Sequence, residues 1–345
     1  MSARAVEIDE EYRHAAATLW PAIAGARRVL CPFHINADPD AVGSALGMCH
    51  LLTAIGKEVI VYASDGAVPP TTLFLPGSDM IRRYEGGALP EADLILALDS
   101  SDPGRLGALH ANNAARFAAG PVVVIDHHIT NSRFGTDGLN FVEPKAAATA
   151  EMVYLLARAW GLPLSAAAAT CLLTGVYGDT LSLQTGSTTP RTLRVVADLL
   201  AAGADLTATV NHLYRARPYS TVKLWGAVLS RAAWVGSVLW SEVTPEMMAE
   251  AGADDSESGG VINWLNGTTG ARVTVLLHRG KDEWRAGLRT LIEGVNVAEI
   301  AARFGGGGHA KAAGCRVVGD EAARDAFLRR VDELAAEQVG QSSSK

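Results

Sequence analysis

An apolar run from Val29 to Phe33 is followed at once by His34, Asp38 and Asp40, and then by a helical Ala/Leu/Met pattern from Ala41 to Ile55. A strand, a loop bearing metal-ligand side chains and a helix, in that order, narrow the fold sharply. Strands joined through a helix run parallel. An open parallel sheet collects its ligands beyond the carboxyl ends of its strands. Imidazole and carboxylate together suit a divalent cation such as manganese or zinc.

The same arrangement recurs along the chain. An opening helix spans 8–25 and the first strand 28–33. Lys57–Ala63 reads as a second strand, and Glu91–Leu98 as a third that delivers Asp99. Pro121–Ile125 is a fourth and delivers Asp126, His127 and His128. A short strand at 140–142 precedes helical patterns at 146–160 and 165–176, the second running into Gly178-Asp179-Thr180. Helices alone are expected over 189–233. Beyond them 238–243, 272–278 and 284–290 alternate as strands of a second sheet. A helix at 296–304, the run Gly305–Gly308 with His309, a strand at 316–318 and a helix at 321–337 follow, with a disordered tail at 341–345. The expected architecture is α/β. A parallel-sheet domain spans 1–187, a helical connector 188–235, and a smaller α/β domain with a mixed sheet 236–340, with a cleft between the domains.

Composition removes several function classes. A net charge of −7 over 345 residues argues against an extended grip on long nucleic acid, though not against a small nucleotide in a local basic pocket. The four cysteines lie far apart in apolar segments and form no C-x-x-C pair, so buried thiols in a reducing compartment are expected rather than a zinc or redox motif. The N-terminus carries Glu7, Asp9, Glu10 and Glu11 where a signal peptide needs an apolar core. No run approaches the ~18 apolar residues of a membrane span. The expectation is a soluble cytoplasmic protein without a membrane partner.

His34, Asp38, Asp40, Asp99, Asp126, His127, His128 and Asp179 therefore collect at strand or helix ends that a parallel sheet can bring to one edge. Each has a plainer alternative: Asp38-Pro39-Asp40 suits a helix cap, Asp99 the cap of a following turn, and Asp179 a helix-end turn. Their coincidence favours metal. Carboxylates crowded at one point repel one another and need cations nearby. Paired metals sharing a carboxylate are the recurring device for phosphate-ester hydrolysis. The glycine run is a separate signal: successive glycine N–H groups can cradle an anion, and Arg289 can form a bidentate pair with a phosphate. Its plainer alternative is a flexible turn.

These motifs resemble the DHH phosphoesterase family. The match comprises His-Ile-Asn-Ala-Asp-Pro-Asp-Ala-Val-Gly-Ser at 34–44, Leu98-Asp99-Ser100-Ser101-Asp102, Asp126-His127-His128 and Gly178-Asp179-Thr180. Ala148-Thr149-Ala150-Glu151-Met152 resembles a segment of its small-nucleotide branch. Arg289-Thr290, where the family usually has Arg-Ser, and Phe304–Gly314 resemble its associated substrate-binding domain. The resemblance implies a Rossmann-like catalytic domain holding two Mn2+, with Co2+ or Mg2+ as alternatives. His34, Asp38 and Asp99 would hold one ion, and Asp40, Asp99, His127 and Asp179 the other. Asp99 and His128 would be catalytic, Asp126 would support them, and Arg289, Gly306, Gly307, Gly308 and His309 would bind substrate.

Within the family, the absence of accessory domains points to the stand-alone NrnA-type branch. The activity then expected is hydrolysis of short RNA or DNA oligonucleotides to mononucleotides and of 3′-phosphoadenosine 5′-phosphate to AMP. Cyclic-dinucleotide phosphodiesterase, single-strand exonuclease and pyrophosphatase are the alternatives, and a non-catalytic nucleotide-binding regulator ranks last. The partners are small phosphorylated nucleotides, and a homodimer stays open.

Overall fold

In the computed structural model, residues 6–342 are described, so 343–345 of the expected tail lie outside them. The chain divides into two compact units at Ala216/Arg217.

The first unit contains α1 (Glu10–Gly25), β1 (Arg28–Phe33), α2 (Pro39–Thr53), β2 (Glu58–Ala63), β3 (Arg82–Arg83) and β4 (Leu94–Leu98). It continues with α3 (Gly107–Asn112), α4 (Ala114–Ala119), β5 (Val122–Asp126), β6 (Asn140–Val142), α5 (Thr149–Ala159), α6 (Ala166–Asp179), α7 (Pro190–Ala201) and α8 (Leu206–Val210). Its sheet has the order β3-β2-β1-β4-β5-β6, with every pair parallel. The order reverses direction between β1 and β4. That switch point opens a crevice at the strands' carboxyl ends, where His34 and Asp99 emerge.

Both faces of the sheet are buried, which is why its strands read as continuous apolar runs rather than alternating ones. Val29, Cys31 and Phe33 join the core beneath α1, α2, α5 and α6. Leu30, Ile95 and Val124 face the opposite core with Leu109 and Phe117 of α3 and α4. All four cysteines are buried free thiols. No described helix is long and apolar enough to cross a membrane.

Local chemistry sets the helix ends. Pro39 occupies the first turn of α2, where a missing N–H costs nothing. Ser165 caps α6, and Thr189 and Thr192 form a reciprocal box at the start of α7. Several helix ends differ from expectation, and two of them bear on the site. α6 runs on to Asp179 instead of ending at Val176. α5 starts at Thr149, not Ala146, because Ala148 is extended (φ −164°). The stretch expected as a connector, 188–235, divides between the units. Val195, Val196 and Leu199 of α7 belong to the first unit's core, while residues from Arg217 onward cluster with the second.

The second unit comprises α9 (Tyr219–Ser230), β7 (Ala233–Val235), β8 (Val238–Val243), α10 (Pro245–Ala251), α11 (Val261–Asn266), β9 (Val273–Arg279) and β10 (Glu283–Arg289). It ends with α12 (Val297–Ala302), β11 (Gly307–His309), β12 (Ala312–Val318) and α13 (Glu321–Ser342). Its sheet, β11-β12-β10-β9-β8-β7, is mixed: β8 and β9 pair parallel and the other neighbours antiparallel. α12 and α13 cover one face, and α9, α10 and α11 the other.

Candidate metal centre

Two helices approach closely enough to bring distant ligands together. A Cβ on Gly43 of α2 would stand 2.5 Å from the Cys171 carbonyl of α6. A Cβ on Gly175 of α6 would stand 2.6 Å from Asp40 Oδ1. Only glycine at both positions lets the helices meet at this distance. Asp40, at the start of α2, and Asp179, at the end of α6, thereby reach the same edge of the sheet.

There the six expected ligands form overlapping groups. Ligand atoms of His34, Asp38 and Asp99 lie within 4.8 Å of one another, as do those of Asp40, His127 and Asp179, and those of Asp99, His127 and His128. Asp99 is common to two groups and uses a different oxygen toward each. Its Oδ2 is 3.5 Å from His34 Nε2, and its Oδ1 is 3.6 Å from His127 Nε2. The residue is held at φ 55°, a left-handed conformation uncommon outside glycine. Strain of this kind gathers at functional sites.

The imidazoles are fixed through the ring nitrogen that faces away. His34 Nδ1 lies 2.8 Å from the Ile35 carbonyl and His127 Nδ1 3.3 Å from the Ala146 carbonyl. Each carbonyl can only accept, so Nδ1 carries a proton and Nε2 is the nitrogen turned toward the carboxylates. Both Nε2 atoms are buried without an aligned hydrogen bond, although Asp179 Oδ2 comes within 3.0 Å of His127 Nε2. Buried polar atoms rarely go unsatisfied. Two such nitrogens facing carboxylates are a donor set that a divalent cation would complete.

The electrostatics are those of a cation site. Burial works against charge on His127, but the Asp179 contact and the Asp99, Asp179 and Asp40 charges outweigh it and raise the imidazole to about 11. The same contest, with Asp99 and Asp38 as opponents, raises His34. Burial and the Asp99 and Asp179 charges push Asp38 up to about 6 and hold Asp40 well above the usual carboxylate range. Burial also opposes ionisation of Asp99, yet His34, His127 and His128 overcome it and hold its carboxyl low.

The plainer alternatives are partly true as well. Asp38 Oδ1 caps α2, accepting the Asp40 and Ala41 N–H groups at 3.0 Å, while its Oδ2 faces His34 Nε2 at 3.8 Å. Asp102, not Asp99, caps the turn that follows β4, accepting the Gly104 N–H. His128 is anchored differently from His127. Its Nδ1 is 2.8 Å from Asp126 Oδ1, and Asp126 Oδ2 in turn accepts the Asn131 amide. Asp126 thus holds His128 in place through Nδ1.

Four contributors were absent from the sequence expectations. The Thr149 hydroxyl donates to Asp99 Oδ1 at 2.9 Å, and its N–H to Asp40 Oδ2 at 2.6 Å. Ser44 and the Ala150 N–H reach Asp40 Oδ1 at 3.1 and 2.9 Å. Gly175 keeps room for that carboxylate. The motif stretches contain Ser44, Thr149 and Ala150 but not Gly175, and nothing in the sequence marked their roles.

In the second unit the glycine run is not a flexible loop. Gly307–His309 pairs as β11 with β12. A Cβ on Gly306 would stand 2.1 Å from the Gly314 carbonyl and one on Gly308 2.6 Å from the Ala312 carbonyl. Close backbone packing therefore accounts for these two glycines. Arg289 and His309 both sit opposite Ala312, one on each neighbouring strand. The three share a row and hence a face of the sheet. Arg289 is half-buried, and burial lowers its pKa.

Comparison with known proteins agrees with this geometry. The N-terminal domain of the DHH family matches residues 28–176, and the DHHA1 domain matches 236–337. The bifunctional oligoribonuclease and PAP phosphatase NrnA of Thermus thermophilus is 36% identical, over 89% of this chain and 88% of its own length. The Bacillus subtilis protein of the same name is 26% identical, over 88% and 93%. In fold, the chain resembles an exopolyphosphatase-related protein from Bacteroides fragilis (TM-score 0.85, 23% identity), with 94% of this chain and 98% of that one covered.

Proposed function

This chain belongs to the DHH family, and on that premise we propose that it is a manganese-dependent phosphoesterase of short nucleotides. Its substrates would be oligonucleotides of a few residues, cleaved to mononucleotides, and 3′-phosphoadenosine 5′-phosphate, cleaved to AMP. The observation that carries the reading is the convergence of His34, Asp38, Asp40, Asp99, His127 and Asp179, with two buried imidazole Nε2 atoms turned toward carboxylates. Two relatives named for these activities, each aligned over nearly the full chain, support the choice of substrate.

His34, Asp38 and Asp99 would hold one cation, and Asp40, Asp99, His127 and Asp179 the second. The mixed imidazole and carboxylate donor set suits manganese as one of several divalent ions. When bound, the paired ions lower the pKa of water and neutralise charge developing on the phosphoryl group. His128 has a distinct task. Burial opposes its charge, but Asp126 and Asp99 raise its pKa, which favours the imidazolium near neutral pH. Its Nε2–H can then donate to a phosphoryl oxygen as negative charge builds. Arg289, Gly306–Gly308 and His309 would supply anion recognition.

The test is purified protein with manganese against 3′-phosphoadenosine 5′-phosphate, RNA of two to five nucleotides, linear and cyclic dinucleotides, long single-stranded DNA and pyrophosphate. Turnover of the first two classes is expected. Degradation of long DNA alone, or of pyrophosphate alone, would contradict the assignment. Arg289→Ala should raise KM for nucleotide while leaving cation uptake intact.

A further inference from the structure

We propose that Thr149 is a positioning residue that sets the plane of Asp99 and the orientation of Asp40 at once, and so couples the two halves of the cation site. The inference rests on the functional reading above and assigns a role to a residue that touches neither substrate nor cation in that reading.

The last torsion of an aspartate is a broad, roughly two-fold rotor, so a carboxylate serving two directions needs an outside constraint. Asp99 must present Oδ2 toward His34 and Oδ1 toward His127. The Thr149 hydroxyl, fully buried, donates to Oδ1 at 2.9 Å. The same residue's N–H donates to Asp40 Oδ2 at 2.6 Å, and the next N–H, of Ala150, to Asp40 Oδ1 at 2.9 Å. A single helical turn thus grips one carboxylate by its side chain and another by its backbone. Asp38, by contrast, takes no hydrogen bond from α5; its cap contacts come from α2.

That turn is itself held from behind. Glu151, with no exposed surface, accepts the Ala147 N–H on Oε2 at 2.9 Å and Arg191 Nε on Oε1 at 2.7 Å. Arg191, near the start of α7, also reaches Glu143 at 3.0 Å, and Glu143 accepts the hydroxyl of Tyr12 on α1. A buried ion pair is weak evidence of stability, but this one ties the start of α5 to α7. The network leaves α5 little freedom to withdraw Thr149 from the carboxylates.

The test compares metal-stripped wild type, Thr149→Val and Thr149→Ser by calorimetric titration with manganese, followed by kinetics on 3′-phosphoadenosine 5′-phosphate over a range of manganese. Valine keeps the shape and removes the donor; serine keeps the donor. Thr149→Val should bind manganese about 10- to 100-fold more weakly at one or both steps, the range for partners that orient metal ligands. Its turnover should fall at low manganese and recover as manganese rises, with KM for the nucleotide unchanged, and Thr149→Ser should match wild type. Should Thr149→Val melt early, Thr149→Ala carries the same comparison. Wild-type uptake of two ions with Thr149→Val affinity within two-fold overturns the inference alone. Failure of the wild type to take up manganese overturns the functional reading and the inference together.

Discussion

A methyl group on Gly175 would stand 2.6 Å from Asp40 Oδ1 and equally close to the Ala150 Cβ. Neither neighbour can yield without cost: Ala150 lies in the first turn of α5, and the Asp40 carboxylate is held by Thr149, Ala150 and Ser44. Gly175→Ala should therefore displace Asp40 rather than be absorbed by a flexible side chain. Overpacking typically costs about 1–3 kcal/mol. The melting temperature should fall accordingly, and manganese affinity should fall with it. A variant that melts lower but binds manganese as wild type does would show that the carboxylate is not what moved.

His127 and His128 are adjacent in sequence, and their rings meet edge to face at 4.7 Å, yet they should respond differently to truncation. His127 offers a buried Nε2 to Asp99 and Asp179. His128 approaches Asp99 only through Nδ1, already bonded to Asp126. His127→Ala should lose one of two bound manganese ions. His128→Ala should keep both and lose turnover by about 10²–10³-fold, the scale of one oxyanion donor. Metal analysis after gel filtration separates the cases, and an ion lost from His128→Ala would return that residue to the ligand set.

Cation uptake should release protons. In the metal-free site His127 is raised to about 11, so at pH 7 an imidazolium proton blocks its Nε2 lone pair, and His34 is shifted in the same direction. Asp40 is raised too, and Asp38 gains a proton below about pH 6. Binding requires all of these groups deprotonated. Affinity must then fall as pH falls, more steeply below about 6. Calorimetry at pH 7 in buffers of differing ionisation enthalpy should show net proton release. Heats that do not depend on the buffer would contradict this charge state.

How far the site could be read from the chain depends on the type of residue. The convergence of these side chains was legible because carboxylates and imidazoles at the ends of apolar strands are gathered by a parallel sheet at one edge. Thr149 and Ser44 were not, since a buried hydroxyl on a helix looks the same whether it caps, packs or orients a ligand. Gly43 and Gly175 read as helix residues of poor propensity; only the helix contact shows why no side chain fits. The glycine run was read as a loop because glycine lowers strand propensity, and β11 forms through backbone pairing with β12 alone. α5 began later than expected because hydrophobic periodicity cannot see that its first N–H groups are committed to Asp40.

The turn directly after Asp179 is under backbone strain that substitution can relieve. Leu181, Ser182 and Leu183 all have positive φ, at 47°, 61° and 66°. A left-handed conformation costs an L-residue roughly 1–2 kcal/mol. Thr180 imposes the path: its hydroxyl accepts the Leu183 N–H and donates to the Val176 carbonyl, and its own carbonyl accepts the Gln184 N–H at 2.7 Å. Leu181 is 42% exposed, so its side chain contributes little burial to offset the strain. Asparagine tolerates this conformation better and avoids glycine's larger entropic penalty. Leu181→Asn should stabilise the protein by up to about 1 kcal/mol, raising the melting temperature by roughly 2–4 °C for a unit of this size. Manganese affinity should not change, because Thr180 and α6 continue to hold Asp179. A lower melting temperature would mean that the Leu181 side chain contributes more packing than its exposure implies. Weakened manganese binding would mean that the strain itself orients Asp179.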